Sequence, residues 1–179
     1  MVERSQTRLW TLRAIFVALC ICAIFWRLLP LQMVPSRWAG PDMIVALCFA
    51  WVLRRPEYAP PLLIAAVMLL ADLLFQRPPG LWAALIVMGA QTLKSRAPGL
   101  RDLSFLPEWL TVAGVLIVLT LSYRLILAVL LVPQAPLGLS LIELLSTLIA
   151  YPVVALFSAL VFGVRKVRPG DAASMGTRA

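Results

Sequence analysis

Six apolar runs dominate the chain, and short polar gaps separate them. They predict membrane spans over residues 10–31, 40–54, 59–76, 79–95, 107–132 and 138–164. A helix needs about 20 apolar residues to cross a bilayer, a length that the last two runs exceed and that runs two to four fall short of. Backbone groups in lipid must find their hydrogen bonds within the segment, so each span is expected to be helical. The predicted fold class is an all-α integral membrane protein with one transmembrane domain over residues 1–179.

The short third and fourth runs leave two arrangements open around the turn at residues 77–80. They either cross the membrane separately or form a re-entrant hairpin that would place Arg77 deep in hydrocarbon. An arginine at the bilayer centre costs roughly 2.5–3.5 kcal/mol on insertion scales. Two crossings leave Arg77 at the surface, so we prefer six crossings in total.

The basic residues alternate between rich and poor gaps along the chain. The rich segments hold Arg4, Arg8, Arg13, Arg54, Arg55, Lys94, Arg96, Arg101, Arg165, Lys166, Arg168 and Arg178. The segments between them hold only Arg37 and Arg77. Basic loops stay in the cytoplasm, which predicts that both termini are cytoplasmic and that residues 165–179 form a short basic cytoplasmic tail.

Composition agrees with this class of protein. Hydrophobic residues make up 62% of the chain and the mean hydropathy is +0.95, whereas soluble domains are about 45–50% apolar. The net charge of +8 is spread over loops, where it orients the chain and can meet anionic lipid. That spread does not form the basic patch of a nucleic-acid interface, so the membrane lipid is the expected partner of these charges.

The chain lacks the residue patterns of familiar catalytic centres. It has no histidine, and its three cysteines, Cys20, Cys22 and Cys48, all lie inside apolar runs, where small packing residues are expected. Phosphate-binding and nucleophile motifs are missing as well. We therefore predict no catalytic, cofactor-binding or metal-binding residues and a protein that is not an enzyme. A third idea, a lipid-modifying enzyme, would need Asp72 or Glu143 as its base.

Several charged residues fall inside or at the ends of the predicted spans, and the derived topology places all of them in the outer half of the membrane. They are Arg27, Asp42, Asp72, Arg77, Arg124 and Glu143. Charges within a membrane normally face the bundle interior and pair. Two interpretations follow: an ion-paired clasp that fixes helix packing, or a polar outer cavity that receives a partner segment or a ligand.

Two of these charges carry more specific expectations. Asp42 opens the second span directly after Pro41, where the helix dipole favours a carboxylate. Arg124 is expected to pair with Glu143 or Asp72, which the derived topology places in the same outer half of the bundle. A charge-reversal exchange of the two partners would test that pairing.

Four motifs resemble the rod shape-determining protein MreD family. They are Gly-Pro-Asp at 40–42, Trp-Val-Leu-Arg-Arg-Pro-Glu at 51–57, an acidic span end followed by a Pro-Gly turn at 71–81, and Ala-Tyr-Pro-Val at 150–153. The motif positions to which the resemblance gives structural roles are Pro41, Arg55, Pro56, Gly80, Tyr151 and Pro152. Together the motifs extend over about residues 10–168.

The resemblance implies a function that composition does not show. MreD-like proteins are multi-pass proteins of the bacterial inner membrane that bind the bitopic protein MreC. Through MreC they connect to MreB, RodA and the elongation transpeptidase, and they support rod shape and lateral peptidoglycan synthesis. The implied role is a non-enzymatic scaffold without cofactors.

The same resemblance implies a fold similar to the substrate-binding subunits of energy-coupling-factor transporters. Those subunits bind ligands in an outer-half pocket. A substrate-binding subunit of a vitamin-type transporter is therefore the alternative function, and the outer charges would line its pocket.

Overall fold

A computed structural model describes residues 2–29, 39–100 and 104–162. Within them the chain is all-helical, with the six helices α1 Val2–Leu28, α2 Met43–Arg54, α3 Pro61–Leu74, α4 Leu81–Leu100, α5 Phe105–Val129 and α6 Leu137–Val161. Arg37, Arg101 and the predicted tail at 165–179 lie outside the described residues. The predicted all-α class is confirmed for the described part of the chain.

Three helices are long and apolar enough to cross a membrane. They are α1 from Gln6 onward, α5 and α6, with mean hydropathies of 2.1, 2.3 and 2.2 over their most apolar windows. Helices α2 and α3 are equally apolar in character but have only 12 and 14 residues. The chain has the make-up of a membrane protein.

Two helices extend beyond the apolar runs that predicted them. α1 begins at Val2 rather than near residue 10, and α4 continues past residue 95 to Leu100. Apolar runs mark the part of a helix that meets lipid or core, whereas polar helix-forming residues extend it into the surroundings. Pro98 lies inside the last turn of α4, where it removes a single backbone donor.

Contacts between side chains establish the direction of each helix. The Asp42 N–H donates to Thr147 Oγ1 (2.8 Å), and the Trp51 indole N–H donates to Ser158 Oγ (3.1 Å), so α2 and α6 run parallel. Helices α1 and α2 are antiparallel, because Phe16 contacts Trp51 whereas the later Arg27 contacts the earlier Asp42. Helices α5 and α6 are antiparallel for the same reason, with contacts between Glu108 and Tyr151 and between Arg124 and Ser140. Successive helices therefore alternate in direction.

This alternation gives the bundle two ends. The Arg27 end collects the C-terminal ends of α1, α3 and α5 and the N-terminal ends of α2, α4 and α6. The Arg54 end collects the opposite termini. Arg77, between α3 and α4, contacts Glu143 of α6 at the Arg27 end. The α3–α4 turn therefore lies at the same end of the bundle as the C-terminal end of the long helix α1.

The shortest helix, α2, lies at the centre of the bundle. Eleven of its twelve residues, all except Met43, are buried, and it packs against α1, α4 and α6. Around it, α1 packs on α3, α3 on α4, α4 on α5 and α5 on α6. A 12-residue helix is only about 18 Å long, shorter than the roughly 30 Å hydrocarbon layer. Protein rather than lipid surrounds α2, so its length need not match the membrane.

Close packing in this core depends on a glycine of α4. A Cβ built on Gly89 would lie 2.6 Å from Leu119 Cδ1 and 3.2 Å from both Phe49 Cζ and Val115 Cγ1. Glycine thus lets α4 approach α2 and α5 at this level, as small residues do at membrane helix interfaces.

We expect Gly89→Leu to lower the stability of the folded protein by about 1–3 kcal/mol, because overpacking forces neighbouring side chains off their rotamers. The measurement is unfolding of the purified protein in mild detergent. The matched control is Gly114→Leu on α5, since a Cβ there meets nothing within 4 Å. Equal losses from both variants would contradict the packing role of Gly89.

Candidate functional site

Four charged side chains form a closed ring at the Arg27 end. Arg27 contacts Asp42 Oδ2 (3.5 Å) and Glu143 Oε1 (2.6 Å), and Arg77 contacts the same two oxygens at 3.7 and 3.5 Å. Each acid lies between two arginines, and each arginine lies between two acids. We call these four residues the charge ring. It joins α1, the start of α2, the α3–α4 turn and α6 through side chains of zero net charge.

Asp42 anchors the ring to the central helix. Its Oδ1 accepts from the Val45 N–H (3.3 Å) and caps α2, while Oδ2 takes part in the ion pairs. Its backbone N–H donates to Thr147 Oγ1, which in turn donates to the Glu143 carbonyl (2.6 Å). The cap fulfils the sequence expectation for Asp42, since an aspartate at this position satisfies a helix N–H that has no partner within the helix.

The two arginines of the ring also share an aromatic face. The Phe75 ring centroid lies 5.0 Å from Arg27 Cζ and 5.4 Å from Arg77 Cζ. Cations are attracted to the face of an aromatic ring. Phe75 is the C-cap of α3, so this contact fixes the end of α3 against α1.

The other two charges of the predicted outer cluster lie outside the ring. Asp72 is buried at the end of α3, where its Oδ2 accepts from the Ala83 N–H (3.0 Å) and so binds the first turn of α4. Arg124 donates through Nη1 to Ser140 Oγ (2.6 Å) and to the Ala135 carbonyl (3.1 Å).

The predicted pairing of Arg124 with Glu143 or Asp72 is wrong. Within the described residues, Arg124 makes no ion pair, because Glu143 is already held by Arg27 and Arg77. Arg27 of α1 and Arg77 of the α3–α4 turn pair with Glu143 and Asp42, and Asp72 bonds to a backbone N–H of α4 instead.

A cavity of about 350 Å³ opens beside the charge ring. Its walls come from the start of α2, the α3–α4 turn, α4, α5, α6 and the α5–α6 connection at 130–136. Polar residues that line it include Gln76, Tyr123, Arg124, Gln134 and Glu143. Leucines of α5 and α6 and Trp82 supply an apolar part of the wall. The volume is at the small end of the range for ligand pockets.

Two turns beside this cavity have the same strained geometry. Gln76 follows α3 and Leu131 follows α5, and both have a φ of +54°. In each turn the next N–H reaches back five residues, from Arg77 to the Asp72 carbonyl and from Val132 to that of Leu127, both 3.0 Å. Glycine adopts this helix-ending conformation without steric cost. At residue 76 the chain instead carries a side chain that lines the cavity.

A second buried charge network, which the sequence reasoning missed, lies toward the Arg54 end. Arg54 Nη1 contacts Glu108 Oε1 at 3.0 Å, and the Tyr151 hydroxyl donates to the same oxygen at 2.8 Å. Glu108 and Tyr151 are fully buried, and Arg54 is 8% exposed. We call these three residues the Glu108 triad. In the sequence Arg54 belongs to a basic gap between apolar runs, and an acid directly after Pro107 resembles an ordinary first-turn residue.

The motif positions named from the sequence lie at the helix ends and in α6. Pro41 precedes the Asp42 cap, and Arg55 caps the end of α2 and pairs with Glu57 at 3.4 Å. Pro56 lies in the following turn, and Gly80, with a φ of +84°, precedes α4. α6 continues through Pro152, and its neighbour Tyr151 belongs to the Glu108 triad.

Comparisons of the chain with protein-family models, with curated proteins and with solved structures find no match.

Replacing each of three carboxylates by an amide should lower the stability of the protein by an amount that depends on the surroundings of that carboxylate. Glu108→Gln leaves Arg54 buried beside a neutral group and should cost about 3–5 kcal/mol. Glu143→Gln weakens a ring whose side chains are partly exposed and should cost less. Glu57→Gln removes a surface pair worth about 1 kcal/mol or less. The measurement is the free energy of unfolding of each purified variant, and a cost for Glu57→Gln that matches the cost for Glu108→Gln would overturn this ranking.

Proposed function

We propose that the protein is a non-enzymatic membrane scaffold of the bacterial cell-elongation machinery. It binds an MreC-like bitopic protein and, through that partner, supports MreB, RodA and the elongation transpeptidase. Its place is the inner membrane, with six crossings and both termini in the cytoplasm. The Arg27 end would then face outward and the Arg54 end inward.

One observation supports this proposal most directly. The residues that carry the MreD-like motifs converge on the two ends of the buried helix α2. Asp42 of the first motif caps α2 and belongs to the charge ring, while Arg54 of the second and Tyr151 of the last meet in the Glu108 triad. Residues at such positions fix how the helices pack against one another, and a scaffold needs this fixed arrangement.

The orientation of the bundle also supports the proposal. The basic residues of the rich gaps that the structure describes, including Arg13, Arg54, Arg55 and Arg96, belong to the Arg54 half of the bundle. The Arg13 side chain donates to the Glu57 carbonyl (3.1 Å) near that end. Cytoplasmic loops carry such an excess of arginine and lysine.

The cavity favours a second candidate, the substrate-binding subunit of a small-molecule transporter. It combines an apolar wall with convergent polar groups, as ligand sites do. A soluble compound that stays bound through purification in mild detergent, identified by mass spectrometry, would support this candidate over the scaffold.

The scaffold proposal is tested by depleting the protein in its host cell. We expect depleted cells to become round, and we expect the tagged protein to co-purify with a bitopic membrane protein. The Glu57→Gln variant should restore rod shape, since its pair lies at the surface, whereas Glu143→Gln should restore it poorly because the ring orders four parts of the bundle. Normal rods after depletion, with no co-purified bitopic partner, would refute the scaffold.

A further inference from the structure

We propose that the Arg27 end binds one molecule of an anionic phospholipid, with the phosphate at Arg124 and an acyl chain along the outer face of α5. This binding site goes beyond the scaffold function and does not depend on it. Four observations lead to it, and they concern the charge balance, the free donors, the adjoining groove and the depth of Arg124.

The charge balance of the cavity favours an anion. Asp42, Glu143 and Arg77 line the cavity, but the charge ring, which Arg27 completes, already neutralises them. Arg124 also lines the cavity and makes no ion pair within the described residues. Among the charged residues that line the cavity, Arg124 is therefore the one without an ionic partner in the described part of the chain, and at membrane depth such a charge calls for a negative partner.

Arg124 also keeps the donors that bind a phosphate. A guanidinium has five N–H donors in a fixed fork. Its bonds to Ser140 and Ala135 both leave from Nη1, so Nε and Nη2 remain without an acceptor among the described residues. This pair of nitrogens can bind two oxygens of one phosphate. The Trp82 indole N–H, buried in the same wall, likewise has no acceptor in the described part of the chain.

A shallow groove on the exposed face of α5, which points away from the bundle, connects with the cavity. Arg124, Val132 and Gln134 line both. The remaining groove residues are mainly apolar, and Val118, Leu121 and Leu125 among them are each more than 60% exposed. A cation at the junction of a polar cavity and an exposed apolar groove matches a head group joined to a hydrocarbon chain. A soluble anion would make no use of the groove.

The depth of Arg124 suits a lipid phosphate. It lies five residues before the end of the 25-residue helix α5, about 7–8 Å from that end. A helix of about 37 Å extends a few ångströms beyond a 30 Å hydrocarbon layer on each side. The Arg124 backbone then lies just inside the hydrocarbon, and its side chain is long enough to reach the level of the phosphates.

The test is native mass spectrometry of the purified full-length protein with phosphatidylglycerol or phosphatidylcholine added in equal amounts. We expect one phosphatidylglycerol molecule to be retained about tenfold more strongly than phosphatidylcholine. Arg124→Gln should remove that preference. The control Arg96→Gln removes an exposed arginine near the C-terminal end of α4, at the Arg54 end of the bundle, and should keep the preference.

A second variant tests the acyl-chain groove without changing Arg124. Ala128→Trp fills the groove and should weaken lipid retention about tenfold, whereas Leu110→Trp, at an exposed position near the other end of α5, should not. Equal retention of the two lipids, or full retention by Ala128→Trp, would overturn the proposal. So would thermal stabilisation by inorganic phosphate or glycerol phosphate equal to that given by phosphatidylglycerol, since that result would assign the cavity to a soluble anion.

Discussion

The charges at the two ends of α2 must be satisfied by protein, and the rest of the bundle is arranged around that requirement. Asp42 and Arg54 lie at the two ends of α2. This helix is too short to reach both membrane surfaces and is buried on nearly every face. A charge enclosed in this way is costly unless it is paired. The charge ring satisfies Asp42, and the Glu108 triad satisfies Arg54. Both networks include a residue of α6, which explains why α6 runs parallel to α2 along its length.

The two interpretations of the outer charges, an ion-paired clasp and a polar cavity, apply to different residues of the same region. The clasp is formed by Arg27, Asp42, Arg77 and Glu143, which pair only with one another among the described charges. The cavity beside it is lined by Arg124, a cation that makes no ion pair within the described residues. The neutral ring joins helices, and the cavity next to it holds the cation that we propose as the phosphate site.

The sequence predicted the helical class and pointed to the four residues of the charge ring, but the one specific pairing that it suggested, that of Arg124, is wrong. Apolar runs depend on local pattern, so they located the six helices, although α1 begins eight residues before its predicted start and α4 ends five residues after its predicted end. The pairing depends on which helices are neighbours, and this is why Arg124 was assigned a wrong partner. Glu108 was missed because its first-turn position has an ordinary local explanation. Its burial arises only when α2, α5 and α6 meet.

The most direct test of the central helix is a double-mutant cycle between Arg54 and Glu108. Arg54→Met and Glu108→Met are measured singly and together by equilibrium unfolding in mixed micelles. Each single change removes this ion pair and leaves one buried charge facing an apolar side chain, whereas the double change leaves an apolar pair. We expect the double variant to be more stable than either single variant, with a coupling free energy of about 2 kcal/mol or more. Additive losses would show that the two charges do not depend on each other and would contradict a paired, buried end of α2.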